Sequence, residues 1–115
     1  MKRGKYNNRK TTYYGITFDS KKEAEMYLKL RDRLKRKEIR DLVLQPRFEL
    51  LPSQKLPNGK TQRKMEYVAD FMFFDTKQLC SRVIDVKGMR TQVYQLKKKL
   101  YNDKYGKVYG YIEEA

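Results

Sequence analysis

The stretch IDVKG, residues 84–88, ends an apolar run and decides how the rest of the chain is interpreted. Charged side chains are rare inside a buried β-strand, yet Asp85 and Lys87 stand only two residues apart here. Because side chains alternate along a strand, both would point to the same face of a sheet. The stretch therefore predicts the end of a buried strand that carries an acid and a base side by side.

Three strands are predicted from alternating or strand-forming apolar residues, at residues 42–50, 64–74 and 79–87. Pro46 interrupts the first, so an edge position or a bulge is expected there. Turn signals occur at residues 57–60 and 75–78. The last two strands are therefore expected to be antiparallel neighbours. The register that would bring Asp70 beside Asp85 does not follow from the sequence.

One helix is predicted before these strands and one after them. The first begins after Ser20, which forms a capping box with Glu23, and continues to about residue 37. Its apolar face is expected to contain Glu23, Tyr27, Leu30 and Leu34. The second is predicted from about Thr91 to Gly106, followed by a short strand at residues 107–112. Its inner side is expected to contain Val93, Leu96 and Leu100.

The predicted order is helix, three strands, helix, strand, or αβββαβ. A strand meander followed by a helical crossover predicts an α/β fold with a mixed central sheet flanked by helices. A chain of 115 residues is long enough for one domain with one modest core. Residues 1–12 are basic and lack periodicity, so they are predicted to be a flexible arm. Residues 13–115 are predicted to form the single domain.

The charge of the chain narrows its class of partner. There are 28 Lys and Arg residues against 14 Asp and Glu, a formal net charge of +14. Such a field favours polyanions, meaning nucleic acid or an anionic membrane surface. No apolar stretch is long enough to span a bilayer, and no apolar segment follows the basic first residues. The sequence therefore favours nucleic acid over a membrane, and a cytoplasmic location.

The composition also excludes several kinds of catalysis. Histidine is absent and Cys80 is the single cysteine. An internal disulfide, a Cys/His zinc site and a histidine-based catalytic triad are therefore ruled out. Cys80 is expected to be buried and inert. Any catalysis must use carboxylates, lysines, tyrosines or a hard metal ion held by oxygen atoms.

Three acidic residues occupy unusual positions in the predicted elements. Glu23 lies on the apolar face of the first helix, Asp70 lies inside an apolar strand, and Asp85 ends the next strand. A carboxylate in such a place is costly unless something pairs with it. Carboxylate oxygens suit Mg²⁺, which usually binds one or two of them together with water and substrate phosphate. With a lysine nearby, such a group can hydrolyse phosphodiesters.

Glu23, Asp70 and the run Asp85-Val86-Lys87, in this order, resemble the motif of the PD-(D/E)XK nuclease superfamily, which has the restriction-endonuclease-like fold. The stretches FDSKKEAE, LQPRFEL, YVADF and DVKG are also similar to a small phage and prophage family, many of whose members are uncharacterised. That similarity extends from about residue 15 to residue 105. The spacing of Ser20 and Glu23 resembles the helix motif of phage Holliday-junction resolvases and of transposon end-cleaving nucleases of this fold.

The resemblance implies a role for each motif residue. Asp70, Asp85 and the Val86 backbone carbonyl would hold Mg²⁺, for which Mn²⁺ would substitute. Glu23 would complete or orient this metal site, and Lys87 would be the catalytic lysine. Ala69 stands where the family has a proline, at the most variable position of the motif.

The implied activity is that of a metal-dependent endodeoxyribonuclease, phage-encoded and acting on branched DNA such as a Holliday junction or a fork. A resolvase makes two symmetric cuts, so a homodimer is expected. The residues expected to bind nucleic acid are Lys2, Arg3, Lys5, Arg9, Lys10, Arg90, Lys97, Lys98 and Lys104. RNA fits the charge of the chain as well as DNA does.

Each motif also has an ordinary structural explanation. D-x-K is common by chance and can be an exposed ion pair at a strand end. Asp70 can mark a bend, and the capping box alone can explain Glu23. Together, in the right order on the right elements, they favour the nuclease. The alternative is a non-catalytic nucleic-acid-binding accessory protein that retains the fold.

Overall fold

The computed structural model of the chain describes residues 10–86 and 90–115. Five of the candidate residues lie outside these ranges: Lys2, Arg3, Lys5, Arg9 and Lys87. Most of the segment predicted to be a flexible arm lies outside them as well. The first described strand begins at Thr11, which was assigned to that arm.

The described residues form two helices, α1 (Lys21–Lys35) and α2 (Gln92–Tyr109). The strands are β1 (Thr11–Tyr13), β2 (Ile16–Phe18), β3 (Ile39–Leu44), β4 (Arg47–Leu51), β5 (Gln54–Lys55), β6 (Thr61–Gln62), β7 (Met65–Val68), β8 (Phe71–Asp75), β9 (Cys80–Asp85) and β10 (Ile112–Glu114). Neither described helix is both long and apolar enough to cross a membrane.

The central sheet has four strands in the order β10-β9-β8-β3. β10 is parallel to β9, whereas β9 with β8 and β8 with β3 are antiparallel. The pairs β1–β2, β4–β7 and β5–β6 form three two-stranded sheets. The helices and central strands therefore follow the order α1-β3-β8-β9-α2-β10, and the mixed α/β fold that the sequence predicted is confirmed.

The two helices pack with two separate groups of core residues. Tyr27 of α1 is buried with Phe71 and Ile84, whereas Tyr101 of α2 is buried with Val83. Val83 and Ile84 are neighbours on β9, and successive side chains of a strand point to opposite faces. The central sheet is therefore covered by α1 on one face and by α2 on the other.

The start of α1 agrees with the predicted capping box. The Ser20 hydroxyl accepts a hydrogen bond from the Glu23 backbone N–H at 3.1 Å, which satisfies one of the amides left open at a helix start. Tyr27 and Leu30 are buried as predicted. The prediction for Leu34 is wrong, since it is 38% exposed. It lies in the last turn, next to the chain reversal at Lys37, whose φ is +61°.

The predicted inner side of α2 is wrong for two of its three residues, because tyrosines form most of the buried side. Leu100 is partly buried against this core, as predicted. Val93 and Leu96 are exposed. Tyr101 is fully buried instead, and its hydroxyl donates to the Gly110 carbonyl at 2.9 Å. The Tyr101 ring lies 5.4 Å from that of Tyr67 and 5.6 Å from that of Tyr105. The tyrosine hydroxyl groups form hydrogen bonds at the edge of the core, so the aromatic rings can pack inside it.

The end of α2 also differs from the prediction. Gly106 was expected to break the helix, but the helix continues to Tyr109 and the last strand begins only at Ile112. Gly106 is buried and its Cα faces the ring of Tyr111. The glycine therefore provides room for close packing, and the helix ends at Gly110, whose φ is +101°.

The strand predicted over residues 64–74 is in fact two strands in two sheets. β7 pairs with β4, whereas β8 belongs to the central sheet. Tyr67 and Ala69 belong to the core under α2, but Phe71 and Phe73 belong to the core under α1. The chain thus changes faces at Asp70. The strand predicted over residues 42–50 is likewise two strands, β3 and β4, with Pro46 between them. The expected edge position applies to β3, which is the last strand of the central sheet.

Candidate active site

Asp70 and Asp85 meet where β8 begins and β9 ends. Phe71 of β8 lies opposite Ile84 of β9. The Asp70 backbone N–H donates to Asp85 Oδ1 at 3.1 Å, and the Val86 backbone N–H donates to Asp70 Oδ2 at 2.7 Å. Each carboxylate therefore accepts a hydrogen bond from the chain segment that carries the other. The register that the sequence left open brings the two acids together.

Asp85 is fully buried, with 0% exposure. Its second oxygen accepts a hydrogen bond from the Tyr67 hydroxyl. Burial of a carboxylate is costly unless hydrogen bonds replace its hydration, and both oxygens of Asp85 are provided for in this way. The Tyr67 hydroxyl and the Asp70 amide are both uncharged donors, and together they orient the carboxylate.

Glu23 approaches the same region from α1. Its exposure is 6%, whereas Glu25, two residues further on, is exposed. Glu23 and Asp70 line one cavity of about 230 Å³, together with Phe18 and Gln45. The predicted position of Glu23 on the core-facing side of the helix is confirmed. A carboxylate from α1 and one from the sheet thus border the same small space.

The donor set suits a hard divalent cation. Within residues 10–86 and 90–115, no three acidic, cysteine or histidine side chains come close enough to form a complete metal site. Mg²⁺ does not need such a cage, because one or two carboxylates with water and substrate phosphate are its usual ligands. Asp70 and Asp85 provide two carboxylates. Val86 follows Asp85 directly and is already hydrogen-bonded to Asp70, so its carbonyl belongs to the same short segment.

Cys80 is exposed, so the prediction that it is buried is wrong. It begins β9 directly after Leu79, a turn residue with a φ of +56°. Asp85 lies at the other end of the same strand, roughly 16 Å away at about 3.3 Å per residue. The thiol therefore has no part in the candidate site.

Two of the predicted nucleic-acid-binding residues are paired within the fold. Arg90 and Lys98 contact the Glu114 carboxylate at 2.9 and 3.1 Å. The Tyr94 hydroxyl also donates to Glu114, and chiefly this hydrogen bond lowers the pKa of Glu114 to about 2. Glu114 is the register partner of Asp85 on β10. Glu114 belongs to no motif in the sequence, yet it is the centre of this charged cluster beside the site.

The remaining predicted cations lie apart from one another. Lys10 and Lys104 are exposed, and the Lys104 ammonium lies 5.5 Å from the centre of the Tyr105 ring. Lys97 lines an open cleft of about 720 Å³. The cleft also contains cations that the sequence analysis missed: Arg47, Arg63 and Lys64. The basic run after the turn at residues 57–60 is the sequence signal that could have found two of them.

The family of the chain follows from comparison with known proteins. No curated protein and no solved structure matches it. A family model described as "Protein of unknown function (DUF1064)" matches residues 3–113. This range includes the two aspartates, Glu23 and both helices. Because the match covers nearly all of the sequence, the chain belongs to the DUF1064 family.

Proposed function

We propose that this protein is a Mg²⁺-dependent DNA endonuclease that hydrolyses phosphodiester bonds. The observation that carries the proposal is the pair Asp70 and Asp85, joined by reciprocal hydrogen bonds at adjacent strand ends, with Glu23 on the cavity that Asp70 lines. The element order α1-β3-β8-β9-α2-β10 supports a restriction-endonuclease-like core and a place in the PD-(D/E)XK superfamily.

The residues divide the work as follows. Asp70, Asp85 and the Val86 carbonyl would hold the ion, which when bound supplies charge stabilisation at phosphate and a bound water of lowered pKa. Tyr67 holds Asp85 in a fixed orientation through its hydroxyl. Glu23 would orient water in the cavity that it shares with Asp70. Lys87 would orient or deprotonate the attacking water, or donate to the phosphate in the transition state.

The charge of +14 supports DNA as the substrate, since positive surface attracts the phosphate backbone. We propose branched DNA as the preferred form and a homodimer as the active assembly, because resolution of a junction needs two symmetric cuts. The location that goes with this activity is the cytoplasm of the host of a phage or prophage.

The experiment is an incubation with linear, flapped, forked and four-way DNA of matched sequence. Each substrate is tested with Mg²⁺, with Mn²⁺ and with a chelator. We expect nicking with either metal ion and none with the chelator, with branched substrates cut faster than linear DNA. Failure to cut any substrate under any of these metal conditions would contradict the proposal.

One observation favours a second candidate, a non-catalytic nucleic-acid-binding protein. Asp85 is fully buried and both of its oxygens accept hydrogen bonds, which is also how a purely structural carboxylate is held. Calorimetric titration with Mn²⁺ separates the two candidates. The nuclease should bind Mn²⁺ in a manner that is lost in Asp85→Asn, whereas the accessory protein should show no binding that depends on Asp85.

A further inference from the structure

β5 and β6 form a two-stranded ribbon that takes no part in the core. Among the helices and strands that the structure describes, these two contact only each other. Residues 51–64 are exposed with the single exception of Leu56. We call residues 52–64 the ribbon. An isolated hairpin of this length is marginally stable in water, so a bound partner would stabilise it.

The ribbon nevertheless has a defined turn. The Leu56 N–H donates to the Lys60 carbonyl at 2.8 Å, and the Gly59 N–H donates to the Leu56 carbonyl at 2.9 Å. The Asn58 side chain accepts from the Lys60 N–H at 3.0 Å. Gly59 has a φ of +84°, a conformation that glycine adopts without strain. The shape of the ribbon is therefore present before anything binds.

The ribbon and the cleft at its base are strongly cationic. The ribbon carries Lys55, Lys60, Arg63 and Lys64 and no acidic residue. We call the space lined by Arg47, Arg63, Lys64 and Lys97 the basic cleft. Its single carboxylate is Glu66, which contacts Arg47 at 3.1 Å and Lys64 at 3.3 Å. In the described parts of the chain, neither Arg63 nor Lys97 has an acidic partner.

One strand that lines the basic cleft ends close to Asp70 along the chain. Val68 lines the cleft and lies two residues before Asp70. Arg47 is directly opposite Val68 in the β4–β7 pair, and the Pro46 carbonyl accepts from the Ala69 N–H at 3.1 Å. A polyanion lying in the cleft would therefore continue along the chain segment that ends at Asp70.

We propose that the ribbon and the basic cleft bind duplex DNA, with the ribbon in the major groove and the cleft on the phosphates that lead to Asp70. The choice of DNA rests on the proposed function. A two-stranded β-ribbon fits the width of the major groove. No aromatic residue occurs in the ribbon or lines the cleft, whereas single-stranded sites stack bases on aromatic rings.

The test is an anisotropy titration of a labelled duplex, and of one of its strands alone, over a range of salt concentrations in the presence of chelator. The cleft variant is Arg63→Ala/Lys97→Ala. Its matched control, Lys29→Ala/Lys35→Ala, removes the same charge from exposed positions on α1, the opposite face of the sheet. A third variant, Lys55→Ala/Lys60→Ala, removes the two charges of the ribbon that do not line the cleft.

We expect the cleft variant to lower the salt slope by about 1.8, since each phosphate contact contributes about 0.9. This corresponds to a loss of duplex affinity of roughly 60-fold at 0.1 M salt, if the variants are equal at 1 M. The control should keep the parental slope. The ribbon variant should weaken duplex binding more than binding of the single strand.

Equal losses in the cleft variant and its control would overturn the inference, because binding would then follow total charge. A ribbon variant that weakens only single-strand binding would overturn it too. Binding is measured without a metal ion, so a protein that never cuts DNA can still confirm the binding surface. Conversely, a cleft variant that binds and cuts like the parent would refute this inference and leave the proposed endonuclease standing.

Discussion

The two ends of β8 hold buried carboxylates in different ways. Asp75, the last residue of the strand, is 2% exposed and lies 3.0 Å from an Arg82 nitrogen and 3.5 Å from an Arg33 nitrogen. At the other end, Asp85 accepts hydrogen bonds from the Tyr67 hydroxyl and from the Asp70 amide. Asp75 is thus paired with two arginines, whereas the Tyr67 hydroxyl and the Asp70 amide are uncharged donors.

The comparison separates a structural acid from a candidate functional one. The backbone N–H of Gln78 donates to Asp75 and chiefly lowers its pKa, with Arg82 acting in the same direction. Such a carboxylate belongs to an ion-pair network that extends through Arg82 to Glu113 at 2.6 Å. Burial is common to both ends of β8, so burial alone does not distinguish a structural acid from a functional one.

The largest expected effect is at the Asp85 end. Asp85→Asn and Lys87→Ala should each reduce cleavage at least about 100-fold, because they remove transition-state stabilisation. Binding of DNA should survive, since the basic surface is spread over many residues. Gel assays of nicking and of binding measure the two effects. Asp103→Asn, at an exposed position of α2, is the control and should cut like the parent. If the Asp85 and Lys87 variants also cut like the parent, the assigned site is wrong.

The next prediction compares the two glutamates of α1. Glu23→Gln keeps the size of the side chain but removes the charge that would help to hold a divalent cation. Nicking should collapse and be partly rescued by high Mn²⁺, while the melting temperature stays near that of the parent. Glu25→Gln changes an exposed residue and should leave cleavage near the parental level. Equal loss in both variants would remove the distinction that the geometry makes.

A smaller effect is expected at the Asp75 end, and on stability instead of catalysis. Asp75→Asn removes a charged partner of Arg33 and Arg82, which keep Glu38 and Glu113. The free energy of unfolding should fall by about 2 kcal/mol, as for the loss of hydrogen bonds to a charged group. Urea unfolding measures this loss. Asp41→Asn is the matched control, because Asp41 is exposed and its ion pair with Arg40 is long, at 3.8 Å. Cleavage per folded molecule should be unchanged in both. A stable Asp75→Asn protein that cannot cut would reverse the roles of the two ends.

The smallest expected effect is the loss of thermal stability at acidic pH. The pKa values of Asp75 and Glu114 are lowered on folding, so their stabilisation is present above the unfolded values of 3.8 and 4.5. It is lost as the pH falls, and for Glu114 the loss continues to about pH 2. The melting temperature should therefore be level near neutral pH and fall below about pH 4.5. The melting temperature of Glu114→Gln should be lower than that of the parent at neutral pH and should fall less in acid. A parallel fall in parent and variant would exclude Glu114 as a contributor.

Local signals in the sequence predicted much of the fold. The Ser20 and Glu23 capping box located the start of α1, and Pro46 marked the end of a strand. The helical spacing of the apolar residues also placed Glu23 correctly on the buried face of α1. These features depend on neighbours a few residues apart, so a single chain segment contains all the information required.

Features that depend on two distant segments were missed. Tyr67, Ala69, Phe71 and Phe73 are all buried, so the alternating pattern continues through Asp70 although the chain changes faces there. Periodicity reports burial but not which core a residue joins. Periodicity also does not give the register of β8 and β9, and it is this register that brings the two aspartates together. On α2, the fully buried Tyr101 was not among the residues predicted for the inner side.

The tyrosines beneath α2 provide an intrinsic spectroscopic probe of the region around Asp85. The chain has ten tyrosines and no tryptophan, so its ultraviolet emission comes from phenol rings. Tyr67 donates its hydroxyl hydrogen to Asp85, and its ring lies 5.4 Å from Tyr101 and 6.2 Å from Tyr94. A cation drawn to Asp85 would change the electron density of that phenol. Absorbance and emission spectra would then register occupancy of the site without a dye and without turnover.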